Sequence, residues 1–560
     1  MRARASRGLL AAIAAVSAMV PAVCAGPAGA APAPEPSGGF FTGSFTGPFA
    51  GGSAGEAALP PGASPVPWAG AEAFRKSIKV PAVRRHLLRL QRIADDHGGI
   101  RASGTPGFDA SAAYVAGLLR AAGYRVTLQE FEFPFFRDVD PPVLERVAPA
   151  ARTYERGKDF RTMTYSGSGD VTAPVQGVDL ALPPSPAPSS TSGCEASDFA
   201  GFTRGNIALI QRGTCSFQVK AELAQAAGAA GVILFNEGQA GEGPDDRRVL
   251  LNGTLGAPTV DIPVVGTTFA VGEELAAAGT TATLTTKTES DPHRRTRNVL
   301  AESRWGDPER VVMLGAHLDS VTDGPGINDN GSGTAGVLET ALGASVLPTR
   351  NRLRFAFWGA EELGLLGSQH YVSTLPAAER AKIKLYLNFD MIASPNHIFG
   401  IYDGDDSDRV GAPAGPPGSD RIEKLFESYF TALDLPYKGT DFTGRSDYGP
   451  FIQAGIPAGG LFTGAEGIKT EEEAAAFGGE AGVAYDKCYH QRCDTIANVN
   501  DRALGVNTGA IATAAFVYAY ARTLPGGGAA PGTVQPGSGG GGLAHDHGQD
   551  PGHSHTGVSR

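Results

Sequence analysis

The sequence holds no basic stripe and no interleaving of aromatic with basic residues that could track a phosphate backbone, so nucleic acid is not an expected partner. Its charge balance is acidic, 47 Lys and Arg against 58 Asp and Glu for a net charge of -11, which favours solubility and says little about substrate. The N-terminal apolar run from Leu9 to Val23 is broken by Pro21 and falls short of the roughly 20 residues a spanning helix needs, so no stable membrane anchor is expected. With Arg2, Arg4 and Arg7 before it and Ala28-Gly29-Ala30 after it, the run reads as an export signal over residues 1–30, and the expected location is extracellular. Cysteine is scarce, five in 560 residues. Cys24 leaves with the signal, and Cys194, Cys215, Cys488 and Cys493 remain as an even set in an oxidising compartment. Four cysteines allow three pairings; local partners in separate domains favour Cys194 with Cys215 and Cys488 with Cys493.

Residues 31–75 are dominated by Pro, Gly, Ser and Ala and read as a low-complexity linker or propeptide, with ordered structure expected from near Ile78. Residues 525–560 read as a disordered Gly-rich tail carrying His545, His547, His553 and His555. Between them, Val83, Leu87, Leu90 and Ile93 recur at helical spacing, a second amphipathic helix spans about 109–122, and 126–131 alternates as a strand. This opens the first part of a catalytic domain, residues 76–136. Strand and helix alternate again over 293–524, with apolar runs at 311–314, 353–358, 385–387 and 459–462. Helices over 333–345 and 507–523 would cover such a sheet. The pattern predicts a three-layer α/β/α domain with a mostly parallel central sheet.

Residues 137–292 differ in texture, with Pro/Ser/Thr-rich loops and short strands around Asn206–Ile210, a helix from Phe217 to Ala227, and Val232–Phe235. Arg212-Gly213 and Cys215-Ser216-Phe217 stand at the strand-to-helix turn. The segment from Ile207 to Phe235 resembles the protease-associated domain inserted in several peptidase families. The expectation is a smaller, β-rich α+β insert. No nucleophile and base cluster within it, so it is expected to pack or cover rather than to react.

Residues able to bind metal follow each apolar strand of the main domain, where open α/β sheets place their sites. His317 and Asp319 follow the first run, Asp329 lies in Gly326–Gly333, Glu361 and Glu362 follow Trp358, Asp390 follows Phe389, and His490 sits between Cys488 and Cys493. Singly, each has a plain alternative: a core histidine, a turn carboxylate, a helix-start glutamate. Two imidazoles with several carboxylates at converging strand ends supply the nitrogen and oxygen donors and the negative charge that a pair of zinc ions needs.

Gly315-Ala316-His317-Leu318-Asp319-Ser320, Gly326–Gly333, Trp358–Gly364 and Asn388–Ile392 resemble the aminopeptidase Y family of co-catalytic zinc exopeptidases, and among them the secreted bacterial leucine aminopeptidases. The likeness covers nearly all of 78–133 and 297–522. It implies that Asp329 bridges two zinc ions, with His317 and Asp390 completing one site and Glu362 and His490 the other. Asp319 would accept a hydrogen bond from the His317 ring. Glu361 would be the general base and acid for an attacking water, and Tyr489 would stabilise the oxyanion. Arg445 would lie beside the substrate's amino end, and Met391 and Phe462 would wall the first side-chain pocket. The implied activity is removal of N-terminal residues, leucine and other large hydrophobic ones foremost, from peptides and proteins with a free N-terminus. A monomer is the default expectation.

The match has departures. Tyr448 stands where relatives often have His, and Gly505 and Gly509 replace aspartates that bind calcium in some relatives, so calcium is not expected. A single-zinc glutaminyl cyclase, a carboxypeptidase and a non-catalytic receptor share or border this scaffold. Retention of all five ligands and of Glu361 favours the two-metal aminopeptidase reading.

Overall fold

The computed structural model describes residues 68–241, 245–409 and 414–526. The expected export signal, most of the expected linker and nearly all of the expected tail lie outside the described residues. Ordered structure starts earlier than expected, at a helix over Trp68–Ser77. The reason is tertiary: Ala71 and Phe74 are buried, and the Phe74 ring lies 5.8 Å from Phe516 on the helix Asp501–Tyr520. Low-complexity composition around these residues hides a short amphipathic face that only the last helix makes profitable.

The main domain is built on a mixed sheet. Strands Asp307–His317, Asn351–Trp358, Ile383–Phe389 and Ala458–Phe462 run parallel at its centre. Their near-continuous apolar runs are buried on both faces, as a covered parallel sheet requires. One face packs on helices Val80–Asp96, Pro106–Ala121, Gly331–Ala344, Ser419–Ala432 and Asp501–Tyr520 through Leu87, Phe108, Leu338, Phe426 and Ile511. The other carries an aromatic cluster in which Tyr386 stacks on Phe451 at 3.9 Å, beside Trp358 and Tyr371. This is the three-layer α/β/α arrangement. The helix Asp501–Tyr520 is long and apolar enough to cross a membrane, but most of it is buried as a core helix here.

Two long strands, Arg125–Ala148 and Thr281–Glu302, pair antiparallel from Arg125 opposite Glu302 to Ala148 opposite Thr281. One end of this ribbon pairs with Asn351–Trp358 and the other with Gly169–Val178 of the insert. Positions 137 and 292 therefore fall inside continuous strands, not in the loops and short strands expected there. Pro134, Pro141 and Pro142 misled: they sit at register shifts, where a missing N–H costs no ladder bond. The insert itself stacks Gly169–Val178, Ile207–Gln211, Gly231–Phe235 and Val264–Thr267 in parallel, with Phe217–Ala227 as a covering helix. Both disulfides form with local partners, Cys194 with Cys215 and Cys488 with Cys493.

Candidate metal centre

The carboxyl ends of the central strands deliver the polar side chains. His317 is the last residue of its strand and lies opposite Trp358 of the next, which brings the Glu361–Glu362 turn alongside. Asp390 follows the strand Ile383–Phe389 directly. Asp329 precedes Asn330, which caps the helix Gly331–Ala344 by accepting from the Gly333 N–H at 2.9 Å. The same Asn330 accepts from the Met391 N–H and donates to the Phe389 carbonyl, so one asparagine ties the turn of Asp329 to both neighbours of Asp390. Gly333 has to be glycine because a Cβ there would lie 2.1 Å from the Phe389 carbonyl oxygen.

These residues converge. The Nε2 atom of His317 lies 3.2 Å from Asp329 Oδ1 and 3.2 Å from Asp390 Oδ1. The Nε2 atom of His490 lies 3.2 Å from Asp329 Oδ2 and 3.0 Å from Glu362 Oε2. Asp329 thus offers one oxygen to each histidine and stands between two donor clusters. Glu361 is buried beside the first cluster, its Oε2 3.9 Å from His317 Nε2. Asp319 differs from expectation. The Nδ1–H of His317 donates to the main-chain oxygen of Asp319 at 3.1 Å, while the carboxylate stands 3.6 Å away, too far for a hydrogen bond. That carboxylate instead accepts from the Glu361 N–H at 3.3 Å. Either way the Nδ1 proton is held, which leaves Nε2 facing the carboxylates.

Electrostatics show what the pocket wants. Burial works against charge on both imidazoles, yet the surrounding carboxylates, Asp390 and Glu361 for His317 and Glu362 and Asp329 for His490, hold both well above the usual histidine range. Burial pushes Glu361 and Glu362 up, while Asp329 is brought down despite burial by its bonds to the two histidines. Among the described residues, the two imidazoles are the positive groups within 4 Å of Asp329, Asp390, Glu361 and Glu362. The donor set fits zinc: imidazole nitrogens and carboxylate oxygens within reach of one another, and a buried Glu362 Oε1 that has no hydrogen-bond partner.

The remaining expected residues occupy varied settings. Tyr489 stacks on His490 with ring centroids 3.8 Å apart, and burial raises its phenol well above the ordinary value. The side chain of Arg445 is largely exposed and reaches Glu466 at 3.6 Å. Met391 is buried with a positive φ of 52°, and Phe462 ends its strand half-buried.

Several residues escaped sequence reasoning. Asp494, next to Cys493, accepts from the N–H groups of Asn328 and Asp329 at 2.8 and 3.0 Å, and burial raises its carboxyl to about 7. Asp486 binds Asn328 and Asn498, closing a buried network behind Asp329 and the disulfide loop. Ser446 donates to Asp390 Oδ2 at 2.6 Å and accepts from Asn388, leaving Oδ1 for the centre. Asp447 is fully buried with neither oxygen bonded, and burial lifts it to about 8. Arg101 is completely buried near the centre. The only available signals were adjacency to Cys493 and a polar pair after Arg445; nothing local marked Arg101.

A covered α/β sheet with two histidine–carboxylate clusters sharing one aspartate defines a metal-dependent hydrolase. Comparison with known proteins narrows the class. Residues 298–515 match the model of peptidase family M28, and residues 171–275 match the PA domain. An aminopeptidase of Pseudomonas aeruginosa is 51% identical over 442 residues, covering 78% of this chain and 80% of that protein. A probable leucine aminopeptidase 2 of Aspergillus fumigatus is 46% identical, covering 64% of this chain and 69% of the relative. Among solved structures, an aminopeptidase from Aneurinibacillus sp. strain AM-1 aligns with TM-score 0.55 and 27% identity over 83% of this chain and 98% of its own. A zinc aminopeptidase from Bacillus subtilis aligns with TM-score 0.55 and 25% identity over 80% and 98%. The chain belongs to peptidase family M28, with a PA domain inserted in the peptidase fold.

Proposed function

We propose that this chain is an exported aminopeptidase that uses two zinc ions and prefers leucine and other large hydrophobic N-terminal residues. The observation that carries the reading is Asp329, whose two oxygens face two separate histidine–carboxylate clusters. His317 and Asp390 would hold one ion with Asp329, and Glu362 and His490 the other. When bound, the ions supply Lewis-acid polarisation of the scissile carbonyl and make a water acidic enough to react near neutral pH.

The chain's own groups do the rest. Glu361, buried and not needed as a ligand, takes the proton from the attacking water and returns it to the leaving amine. Tyr489, whose phenol stays protonated, donates to the oxyanion as it forms. Glu361, Asp390 and a backbone carbonyl near Arg445 receive the substrate ammonium, which limits cleavage to the first residue. Met391 and Phe462 wall the pocket for its side chain. Support for export comes from the N-terminal pattern and from two disulfides in the fold. A probable lipoprotein aminopeptidase of Mycobacterium tuberculosis, 42% identical, raises membrane attachment as the competing form.

The test compares leucyl-p-nitroanilide with its N-acetylated form, before and after chelation. Hydrolysis of the free amine alone, lost on chelation and restored by zinc, supports the reading. Cleavage of the blocked substrate or release of C-terminal residues rejects it.

A further inference from the structure

Two side chains of the connector between the helices Val80–Asp96 and Pro106–Ala121 hydrogen-bond to the loops that carry Asp329 and Glu361. Arg101 has no solvent exposure. Its Nη1 donates to the Leu318 carbonyl at 2.5 Å, its Nε to the Pro325 carbonyl at 2.8 Å, and its Nη2 to the Gly326 carbonyl. These acceptors stand at the two ends of the loop that runs from His317 to Asp329. The connector's backbone adds a further tie, because the Arg101 N–H donates to Ser320 Oγ at 2.9 Å. Gly326, at φ 60°, fits between Arg101 and Asp329, where a Cβ would lie 2.4 Å from the Asp329 carbonyl oxygen.

Two residues on, buried Ser103 accepts from the Ala360 N–H at 2.7 Å, immediately before Glu361, and is met by Thr296 at 3.3 Å. Ala360 itself has a positive φ of 55°. The turn is also held on either side, by Asn298 accepting from the Gly359 N–H at 3.1 Å and by Asp319 accepting from the Glu361 N–H at 3.3 Å, and Ser103 makes the shortest of the three bonds. A buried guanidinium is costly unless its donors are used, and here all three nitrogens bind main-chain oxygens rather than a carboxylate. Its charge is left facing the acidic groups around it, Asp319, Asp494, Asp329 and Glu362. A cation placed only to stabilise a core would be expected to pair directly; this one fixes a loop and balances a surplus of acid.

We propose that Arg101 and Ser103 are positioning residues of the metal centre, Arg101 setting the spacing of His317 and Asp329 and Ser103 setting the reach of Glu361. The inference rests on the two-zinc reading above. It separates two effects that a generally structural connector would not separate. Loosening the ligand loop weakens zinc binding, by roughly 10- to 100-fold for a lost outer partner. Shifting the Ala360–Glu361 end of the turn leaves His317, Asp329, Asp390 and His490 in place and lowers kcat, by up to about 100-fold for a displacement near 1 Å.

The test uses the full chain with Arg101→Lys, Arg101→Ala and Ser103→Ala. Zinc affinity is read by competition with a chromogenic chelator, alongside the melting temperature of metal-free protein and kcat and KM of zinc-saturated protein. Arg101→Lys, which keeps charge but loses the fork, is expected to bind zinc at least tenfold more weakly, and added guanidinium is expected to restore part of the affinity of Arg101→Ala. Ser103→Ala is expected to lower kcat at least tenfold with a smaller loss of zinc affinity than Arg101→Lys, since of the five proposed ligands only Glu362 lies on the turn that Ser103 holds. Unchanged zinc affinity in Arg101→Lys, or unchanged kcat in Ser103→Ala, overturns the corresponding assignment. Failure of both Arg101 variants to fold also overturns the Arg101 assignment, since the residue would then serve the fold and not the site. Wild-type protein that binds no zinc sinks the proposed function as well; wild-type binding with normal variants sinks this inference alone.

Discussion

Replacing Glu361 with Gln isolates the proton-transfer role from metal binding. The side chain is 10% exposed, and its Oε2 lies 3.9 Å from the nearest imidazole nitrogen, farther than Asp329, Asp390 and Glu362, which stand 3.0–3.2 Å from His317 or His490. Gln keeps the volume and the main-chain bond from Glu361 N–H to Asp319, so the five proposed ligands are left in place. What is lost is a base that burial and neighbouring acids, Asp390, Asp447 and Glu362, hold at a high proton affinity against the pull of His317. Loss of such a group costs about 10²–10⁴ in rate, which is about 2.7–5.4 kcal/mol of transition-state stabilisation. The upper part of that range is expected, because one carboxyl both accepts and returns the proton. Turnover and KM on leucyl-p-nitroanilide, measured beside zinc content by mass spectrometry, provide the check. Retention of more than a tenth of the turnover refutes the base assignment. Loss of zinc shows instead that Glu361 is a ligand.

Three further perturbations have defined outcomes. Ser446→Ala removes the donor to Asp390 Oδ2 and should weaken zinc binding by about 10- to 100-fold in a chelator titration. Cys488→Ser with Cys493→Ser opens a bridge of sequence separation 5 and should cost about 2 kcal/mol of stability in denaturant unfolding on the loop-entropy estimate, with weaker zinc retention by the cluster holding His490. Glu423 is buried against Asp405 and Asp403, and burial first, then those charges, raises its carboxyl from 4.5 to about 7. A raised carboxyl binds its proton more tightly in the folded state, so its cost to stability is absent below the unfolded value and grows as pH rises from about 4.5 to about 7. Glu423→Gln should therefore stabilise the protein at pH 8, by about 1–2 kcal/mol after allowance for screening, and have little effect at pH 4.

Four of the proposed site positions were legible because they stand at or just past strand ends, which are marked locally by apolar runs that stop at a polar residue. His317, Glu361, Glu362 and Asp390 all fall there. Asp329 and His490 were candidates by residue type alone, since a helix-start turn and a disulfide loop carry no such marker, and the roles proposed for them come from the family resemblance. The residues that support them were not legible. Arg101 is about 220 positions from the carbonyls it binds, and Asp494 is 165 from Asp329, so nothing near either residue foretells its partner. The same holds for the fold. Central strands follow from composition, whereas the ribbon strand Arg125–Ala148 is hidden by prolines that only its partner's register shifts accommodate. The helix Trp68–Ser77 is hidden by small residues that make sense only against Phe516.

The central claim is that Asp329 stands between two metal ions. Anomalous diffraction from crystals of the zinc-loaded chain, recorded on both sides of the zinc edge, tests it directly. Two peaks are predicted, one against each oxygen of Asp329, the first shared with His317 and Asp390 and the second with Glu362 and His490. A single peak, or peaks away from Asp329, would contradict the account.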